Sequence, residues 1–146
     1  MKSGEPDLKL GGFSLWVFGH QFPDATDYWD GNWLNVRARA EAPGAVVEAQ
    51  GAFVRAPELA TFAKELETLH VTLAGEAGLR CMEPKLGIVI QCGPLGHVAV
   101  EITIAPDHMT QLHKFKFHLD QTYLDPSLDQ CKSILSRWPV RAATSA

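Results

Sequence analysis

The residues best able to do chemistry lie close together between positions 20 and 35, where the sequence reads HQFPDATDYWDGNWLN. This stretch holds three carboxylates and three large aromatic side chains but no lysine or arginine: Asp24, Asp27, Asp30, Tyr28, Trp29 and Trp33. Carboxylates can bind a cation or attract a basic partner, and Trp and Tyr are favoured in protein interfaces. The pattern predicts a loop of about twelve residues between two strands, which is longer than a compact domain usually carries.

Three interpretations of this loop are open. In the first, the loop is structural: Asp24 and Asp30 cap turns, and the aromatic rings pin the loop onto a sheet. In the second, which is compatible with the first, the same side chains bind a partner protein and the acidic groups steer a basic partner. In the third, His20 and the aspartates form a catalytic or calcium site. The D-x-x-D-x-x-D-G spacing disfavours calcium, because calcium loops place their oxygen ligands at alternate positions.

Other catalytic and cofactor motifs are absent from the sequence. There is no G-x-x-x-x-G-K-[ST] phosphate loop, no G-x-G-x-x-G dinucleotide loop and no G-x-S-x-G nucleophile elbow. His108, His113 and His118 are five residues apart, so successive members lie on opposite faces of a strand and a shared metal is disfavoured. His97 and Glu101 share a strand face but lie too far apart for contact. We predict no catalytic residue, no cofactor and no metal.

The composition is that of a globular protein. The chain has 146 residues, of which 46% are hydrophobic and 21% are charged. Thirteen basic and 17 acidic residues give a net charge of −4. This charge disfavours a nucleic-acid binder, which needs surplus lysine and arginine to neutralise phosphates.

Cysteine usage and hydropathy bear on the cellular compartment. The three cysteines, Cys81, Cys92 and Cys131, include no C-x-x-C pair, which indicates free thiols in a reducing compartment. The first residues lack the apolar segment of a signal peptide, and the longest apolar run, 86–90, is too short to cross a bilayer. These observations predict a cytoplasmic protein.

The hydrophobic pattern predicts six strands and two helices in the order β-β-β-α, repeated twice. The strands are expected at 13–18, 33–41, 45–54, 86–92, 97–105 and around 115–119. Apolar residues at offsets 0, 3, 7 and 10 predict one helix after Pro57 and another that starts at Asp125 and Pro126. The first stripe is Leu59, Phe62, Leu66 and Leu69, and the second is Leu128, Cys131, Leu135 and Trp138.

These elements predict an α+β fold. Hairpin-linked strands favour a mostly antiparallel six-stranded sheet with the two helices packed on one face. No linker rich in Pro, Gly or Ser divides the chain, so we expect a single domain over residues 1–146. Its ordered core is expected to cover about 8–141, with a frayed tail at 142–146.

Three motifs in this order resemble the WapI-type family of bacterial immunity proteins. Gly19-His-Gln-Phe-Pro-Asp24 followed by Asp27-Tyr-Trp-Asp-Gly-Asn-Trp-Leu34 is similar to the family's G-Y-Q-F-P-D, short acidic spacer and Y-W-D-x-N-W-L. Glu83-Pro84-Lys85-Leu86 is similar to its E-P-x-L. Trp138-Pro139-Val140-Arg141 is similar to the aromatic-Pro-x-Arg that ends a terminal helix. His20 stands where the family has an aromatic residue.

The resemblance implies a small cytosolic protein that binds and blocks a cognate toxin domain and catalyses nothing. Toxin domains in such systems are often basic nucleases, which would suit an acidic and aromatic patch. No nucleic-acid or membrane partner is implied, and a homo-oligomer is possible. The alternative, from another class, is a small-ligand-binding or enzymatic domain with a pocket between sheet and helices. A deep polar pocket with His20 or His97 would favour that alternative.

Overall fold

The computed structural model describes residues 4–142, and the chain begins with a four-stranded antiparallel meander. Its strands pair in chain order and are β1 (Leu8–Leu10), β2 (Phe13–His20), β3 (Trp33–Ala42) and β4 (Ala45–Arg55). In β3 the even-numbered side chains from Leu34 to Ala40 are buried, as the sequence alternation predicted. Between β3 and β4, Gly44 has a φ of +86°, a conformation that favours glycine.

A second four-stranded antiparallel meander follows the first helix. Its strands are β5 (Gly75–Arg80), β6 (Leu86–Cys92), β7 (His97–Ile104) and β8 (His113–Asp120). The apolar residues Ile88 and Ile90 of β6 and Val98 to Ile104 of β7 are buried at every second position. The sheet therefore has one face in the core and one face toward solvent.

One helix follows each sheet. α1 (Ala56–Thr72) carries Pro57 in its first turn, and all four residues of its predicted apolar stripe are buried. α2 (Leu124–Arg137) starts one residue earlier than predicted, and Ile134 is fully buried whereas Leu135 and Trp138 are only partly buried. α1 packs against β5 and against α2, and α2 packs against β1. Apolar residues of both sheets and both helices form one continuous core.

The α+β class is confirmed, but the prediction of one six-stranded sheet is wrong. The structure has two four-stranded antiparallel sheets, and the helices do not share one face of a single sheet. Each half therefore contributes four strands and a helix rather than three strands and a helix. The predicted frayed tail falls mostly on residues 143–146, which lie outside the described residues.

The two missed strands have weak sequence signals. β1 is a three-residue strand, too short for alternation to distinguish it from a loop. β5 contains Gly75 and Gly78, and glycine is depleted in strands. Burial of Ala77 and Leu79 and pairing with β6 stabilise β5 despite these glycines. In both cases tertiary contacts outweigh local propensity.

Candidate functional site

The predicted loop is present and connects β2 to β3 through residues 21–32. At its base, Gln21 N donates to Trp33 O at 2.8 Å, which continues the strand pairing by one step. Its second half closes in a single 3-10 turn over Asp30–Asn32. The carboxylate of Asp27 accepts from Asp30 N at 2.9 Å and so caps that turn. We refer to residues 21–32 as the β2–β3 loop.

A buried arginine packs against the aromatic residues of this loop on their inner side. Arg55, at the end of β4, is 4% exposed. Its guanidinium carbon lies 4.9 Å from the ring centres of both Tyr28 and Trp29 and 5.5 Å from that of Trp33. Its Nη2 donates to Tyr28 O at 2.9 Å. A desolvated cation over an aromatic ring contributes about 2 kcal/mol, so three rings around one guanidinium hold this part of the loop firmly.

The backbone of Arg55 is fixed by the first turn of α1. Arg55 N donates to Glu58 Oε1 at 2.8 Å, and Met82 N donates to Glu58 Oε2 at 2.8 Å. Burial raises the pKa of Glu58 above its ordinary value, although these two N–H donors act in the opposite direction. Burial also raises the pKa of the neighbouring Cys81 thiol, and the Glu58 carboxylate raises it further. Cys81 is thus a structural thiol rather than a nucleophile.

A second arginine, Arg141, binds the first half of the loop from the C-terminal side of α2. Its Nη1 donates to three main-chain carbonyls, at 3.4 Å to Phe22 O, 3.0 Å to Pro23 O and 2.6 Å to Ala25 O. Its Nη2 donates to Nδ1 of His20 at 3.1 Å. Arg141 therefore fixes the path of the loop backbone and forms no ion pair with a loop carboxylate.

Asn32 connects the part of the loop that contacts Arg55 to the part that contacts Arg141. It is fully buried, and its Nδ2 donates to Tyr28 O at 2.7 Å and to Arg141 O at 2.9 Å. Its Oδ1 accepts from Arg141 N at 2.9 Å. Gly31 is needed beside it, because a Cβ at this position would lie 2.8 Å from Ala25 O and 3.3 Å from Cδ of Arg141.

His20 is held as a neutral ring. Its Nδ1 accepts from Arg141, so the ring proton is on Nε2, which is buried and has no hydrogen-bond partner. Burial lowers the pKa of His20, and the positive charge of Arg141 lowers it further. Since neither nitrogen is available to a substrate, this geometry does not support His20 as a general base.

The outward side of the loop carries the charges. Asp24, Asp27 and Asp30 are exposed, and within residues 4–142 none of them forms an ion pair. Trp29 is 50% exposed and Phe22 is 46% exposed. The structure thus presents an acidic and aromatic surface on a loop whose backbone is fixed from behind.

The comparison with protein families matches residues 7–139 to the immunity protein WapI-like family. The chain belongs to this family. The match confirms the family resemblance. No curated protein and no solved structure matches the chain. Membership in the WapI-like family points to neutralisation of a toxin by binding, and immunity families of this kind are generally non-enzymatic.

The fold explains two of the motifs shared with the WapI-like family. Asn32 belongs to the first motif and Arg141 to the last, and the two residues are in direct contact. Sequence analysis identified the outward residues of the loop but missed Arg55 and Phe22. Arg55 has no local signal, because a lone arginine between Val54 and Pro57 looks like any strand end. Phe22 was part of the first motif, but nothing in the sequence distinguishes an exposed phenylalanine from a buried one.

The other histidines, cysteines and carboxylates of the described residues form no metal site. Across residues 4–142, no three His, Cys, Asp or Glu side chains are grouped so that they could hold a metal ion. His113 contacts Gln111 at 2.8 Å, whereas His118 lies against His97 rather than against His108 or His113. Among the described residues, neither helix is both long and apolar enough to cross a membrane.

Proposed function

We propose that this member of the WapI-like family is a single-domain, non-enzymatic protein of the bacterial cytoplasm that neutralises a cognate toxin domain by binding it. The contact surface is the outward side of the β2–β3 loop. It consists of the following residues: Asp24, Asp27, Tyr28, Trp29, Asp30 and Trp33. Family membership supports the binding role, and the loop geometry supports the position of the surface.

The proposal rests on the contacts that Arg55 and Arg141 make with the loop. Both cations lie against the loop, yet Arg141 donates to main-chain carbonyls and Arg55 contacts ring faces and Tyr28 O. The loop carboxylates therefore form no ion pair within residues 4–142 and are available to an external partner. Because the backbone is already fixed, little conformational entropy is lost when a partner binds.

The six residues divide into two groups. Asp24, Asp27, Asp30 and Trp29 are exposed and can contact the partner directly. Tyr28 and Trp33 are half-buried against Arg55, so they contribute an edge to the surface and mainly support Trp29. Phe22 adds a second exposed aromatic ring.

Three unpaired carboxylates favour a toxin domain with a basic surface, such as a nuclease that binds phosphates. Complementary charges raise the association rate, and this effect falls with ionic strength. Binding is therefore expected to weaken with added salt mainly through slower association.

The experiment uses the toxin domain encoded by the adjacent upstream gene. Co-expression with this chain should restore growth, and the purified pair should form a complex. Asp24→Lys should weaken binding at least about tenfold, since charge reversal at an interface rim slows association. Asp129→Lys, an exposed charge reversal on α2, is the matched control and should bind as the wild type does.

Two outcomes would contradict the proposal at different levels. Toxin that kills cells equally with and without this protein would remove the immunity role. A complex that forms normally but is equally insensitive to Asp24→Lys, Phe22→Ala and Trp29→Ala would place the contact surface elsewhere on the chain.

The enzymatic alternative named His20 or His97 in a deep polar pocket, but His97 is exposed and lies against His118, and His20 gives the alternative no support. Both ring nitrogens of His20 are enclosed by the protein, as described above. A homo-oligomer is compatible with the binding role, and light scattering after size-exclusion chromatography would measure it.

A further inference from the structure

Two histidines meet on the solvent-facing side of the second sheet, far apart in sequence. In the antiparallel pairing of β7 with β8, His97 lies opposite Asp120 and His118 lies opposite Ala99. The two histidines are thus diagonal neighbours, within reach of each other's rings. His97 Nε2 and His118 Nδ1 are 3.0 Å apart, and both side chains are exposed.

This contact requires that the two rings share one proton. At 3.0 Å one nitrogen donates and the other accepts, so at least one imidazole is neutral. The neutral nitrogen has its lone pair directed at its neighbour. A divalent metal ion can bind between these two nitrogens if the shared proton moves, through solvent, to the other nitrogen of the donor ring, or leaves to solvent when that ring is an imidazolium. Each ring then binds the ion as neutral imidazole, a good ligand for divalent transition metals.

The spacing is suitable for two ligands of one ion. Two nitrogens bound at right angles, each about 2.05 Å from the ion, lie about 2.9 Å apart. The 3.0 Å observed between the two ring nitrogens needs only a turn of the exposed rings. We propose that His97 and His118 form a bidentate site for a divalent transition metal ion, with water molecules as its remaining ligands.

The surroundings favour a cation. The carboxylate of Asp120, on the strand position opposite His97, is held by Thr122 N at 2.9 Å and by the Thr122 hydroxyl. The hydrogen bond from that hydroxyl lowers the pKa of Asp120, so the carboxylate stays charged. Imidazole ligands select nickel, copper and zinc over magnesium and calcium, which prefer oxygen.

The site also has a rigid base. β7 and β8 pair in register from His97 to Ile104, and Val98 and Val100 beside the histidines are buried. Because a bound ion would join both strands, it would stabilise the folded chain by mass action. This site is independent of the proposed toxin surface, and neither depends on the other.

The test is calorimetric titration of the full chain with NiCl2 and with ZnCl2. We expect one ion per chain and tighter binding of nickel than of zinc, in line with the order of divalent affinities. His97→Gln and His118→Gln should each weaken nickel binding about tenfold or more, since the second ligand on the same strand pair binds intramolecularly. His108→Gln removes an exposed histidine from a neighbouring loop and should leave binding unchanged.

Nuclear magnetic resonance gives a second readout. Paramagnetic nickel should broaden the ring signals of His97 and His118 before those of His70, His108 and His113. The proposal is overturned if nickel shows no saturable binding below millimolar concentration, since the pair is then only a hydrogen bond. It is also overturned if binding survives in both His97→Gln and His118→Gln, because the ion is then held elsewhere.

Discussion

Asn32 and Arg141, 109 positions apart, form two hydrogen bonds with each other of 2.9 Å each. The amide side chain of Asn32 both donates to and accepts from the backbone of Arg141. A third bond joins Asn32 to Tyr28 O. These contacts bring together the first and last motifs of the WapI-like resemblance and place the arginine side chain under the β2–β3 loop.

Replacing Asn32 by alanine should lower the free energy of unfolding by about 2 kcal/mol or more, because buried backbone groups lose their partners. Urea denaturation would measure the change. Asn35→Ala is the control, since its side chain on β3 makes no hydrogen bond within residues 4–142. Equal losses in the two variants would show that the Asn32 contacts contribute nothing specific.

Replacing Arg55 by lysine should destabilise the chain by about 2 kcal/mol, since an ammonium cannot stack between rings as a planar guanidinium does. Denaturant unfolding followed by tryptophan fluorescence would measure the change, with Trp29 and Trp33 supplying two of the four tryptophan signals. Arg39→Lys, on the outer face of β3 beside Glu41 and Glu48, should change stability by under about 0.5 kcal/mol. If both lysine variants unfold at the same urea concentration, the ring contacts of Arg55 are not stabilising.

The contribution of His20 to the stability of the fold should decrease as pH falls from 7.5 to 5. His20 has a lowered pKa when folded, so the unfolded chain takes up its proton at higher pH than the folded chain does. The stabilising contribution is complete above the unfolded pKa of about 6.5 and is lost as pH falls through the folded value. His20→Asn, which keeps an acceptor for Arg141, should remove this part of the pH dependence, whereas His108→Asn should retain it. A slope unchanged by His20→Asn would assign the effect to other groups.

Removing the Arg141 side chain should loosen the loop without unfolding the sheets. In Arg141→Ala, hydrogen exchange at Ala25 N and Gly31 N should accelerate at least about tenfold, because local opening then costs less. Amides of β6 should exchange at the wild-type rate. The same variant should bind the toxin less tightly although it keeps every carboxylate of the surface. Wild-type exchange at both loop amides would mean that Arg141 does not fix the loop.

Adding a methyl group at Gly31 should destabilise the chain by about 1 to 3 kcal/mol, since the Cβ would overlap Ala25 O at 2.8 Å. Thermal unfolding would detect the loss. Gly87→Ala is the matched control, because the nearest atom to its Cβ would be at 3.9 Å, an ordinary contact. A Gly31→Ala protein as stable as Gly87→Ala would show that the loop backbone can shift at no cost.

The sequence predicted the features that depend on local pattern. Six strands, both helices and the apolar stripe of α1 are visible in the periodicity, because burial on one face imposes that periodicity. The position and exposure of the acidic loop residues were also predictable. The division into two sheets was not, because β5 has glycines where a strand usually has branched residues and its stability comes from α1 and β6.

The supporting residues of the site were less predictable, because their partners are distant in the chain. Arg55 contacts three aromatic rings that lie 22 to 27 positions earlier in the chain, and the residues next to Arg55 in the sequence do not indicate these contacts. Arg141 was recognised only as part of a motif. Its partners are backbone carbonyls, which every residue carries, so no residue type in the sequence indicates these contacts. The pairing of His97 with His118 depends on the register of β7 and β8, which no spacing rule gives.

The dependence of the β2–β3 loop on Arg141 has a consequence for synthesis of the chain. The loop is translated early, but the guanidinium that fixes its first half is added only after α2. A nascent chain, or a product truncated before position 141, therefore carries the first half of the loop, with Asp24, in an unfixed form. If this surface binds a toxin as proposed, we expect full binding competence only when translation has passed this residue.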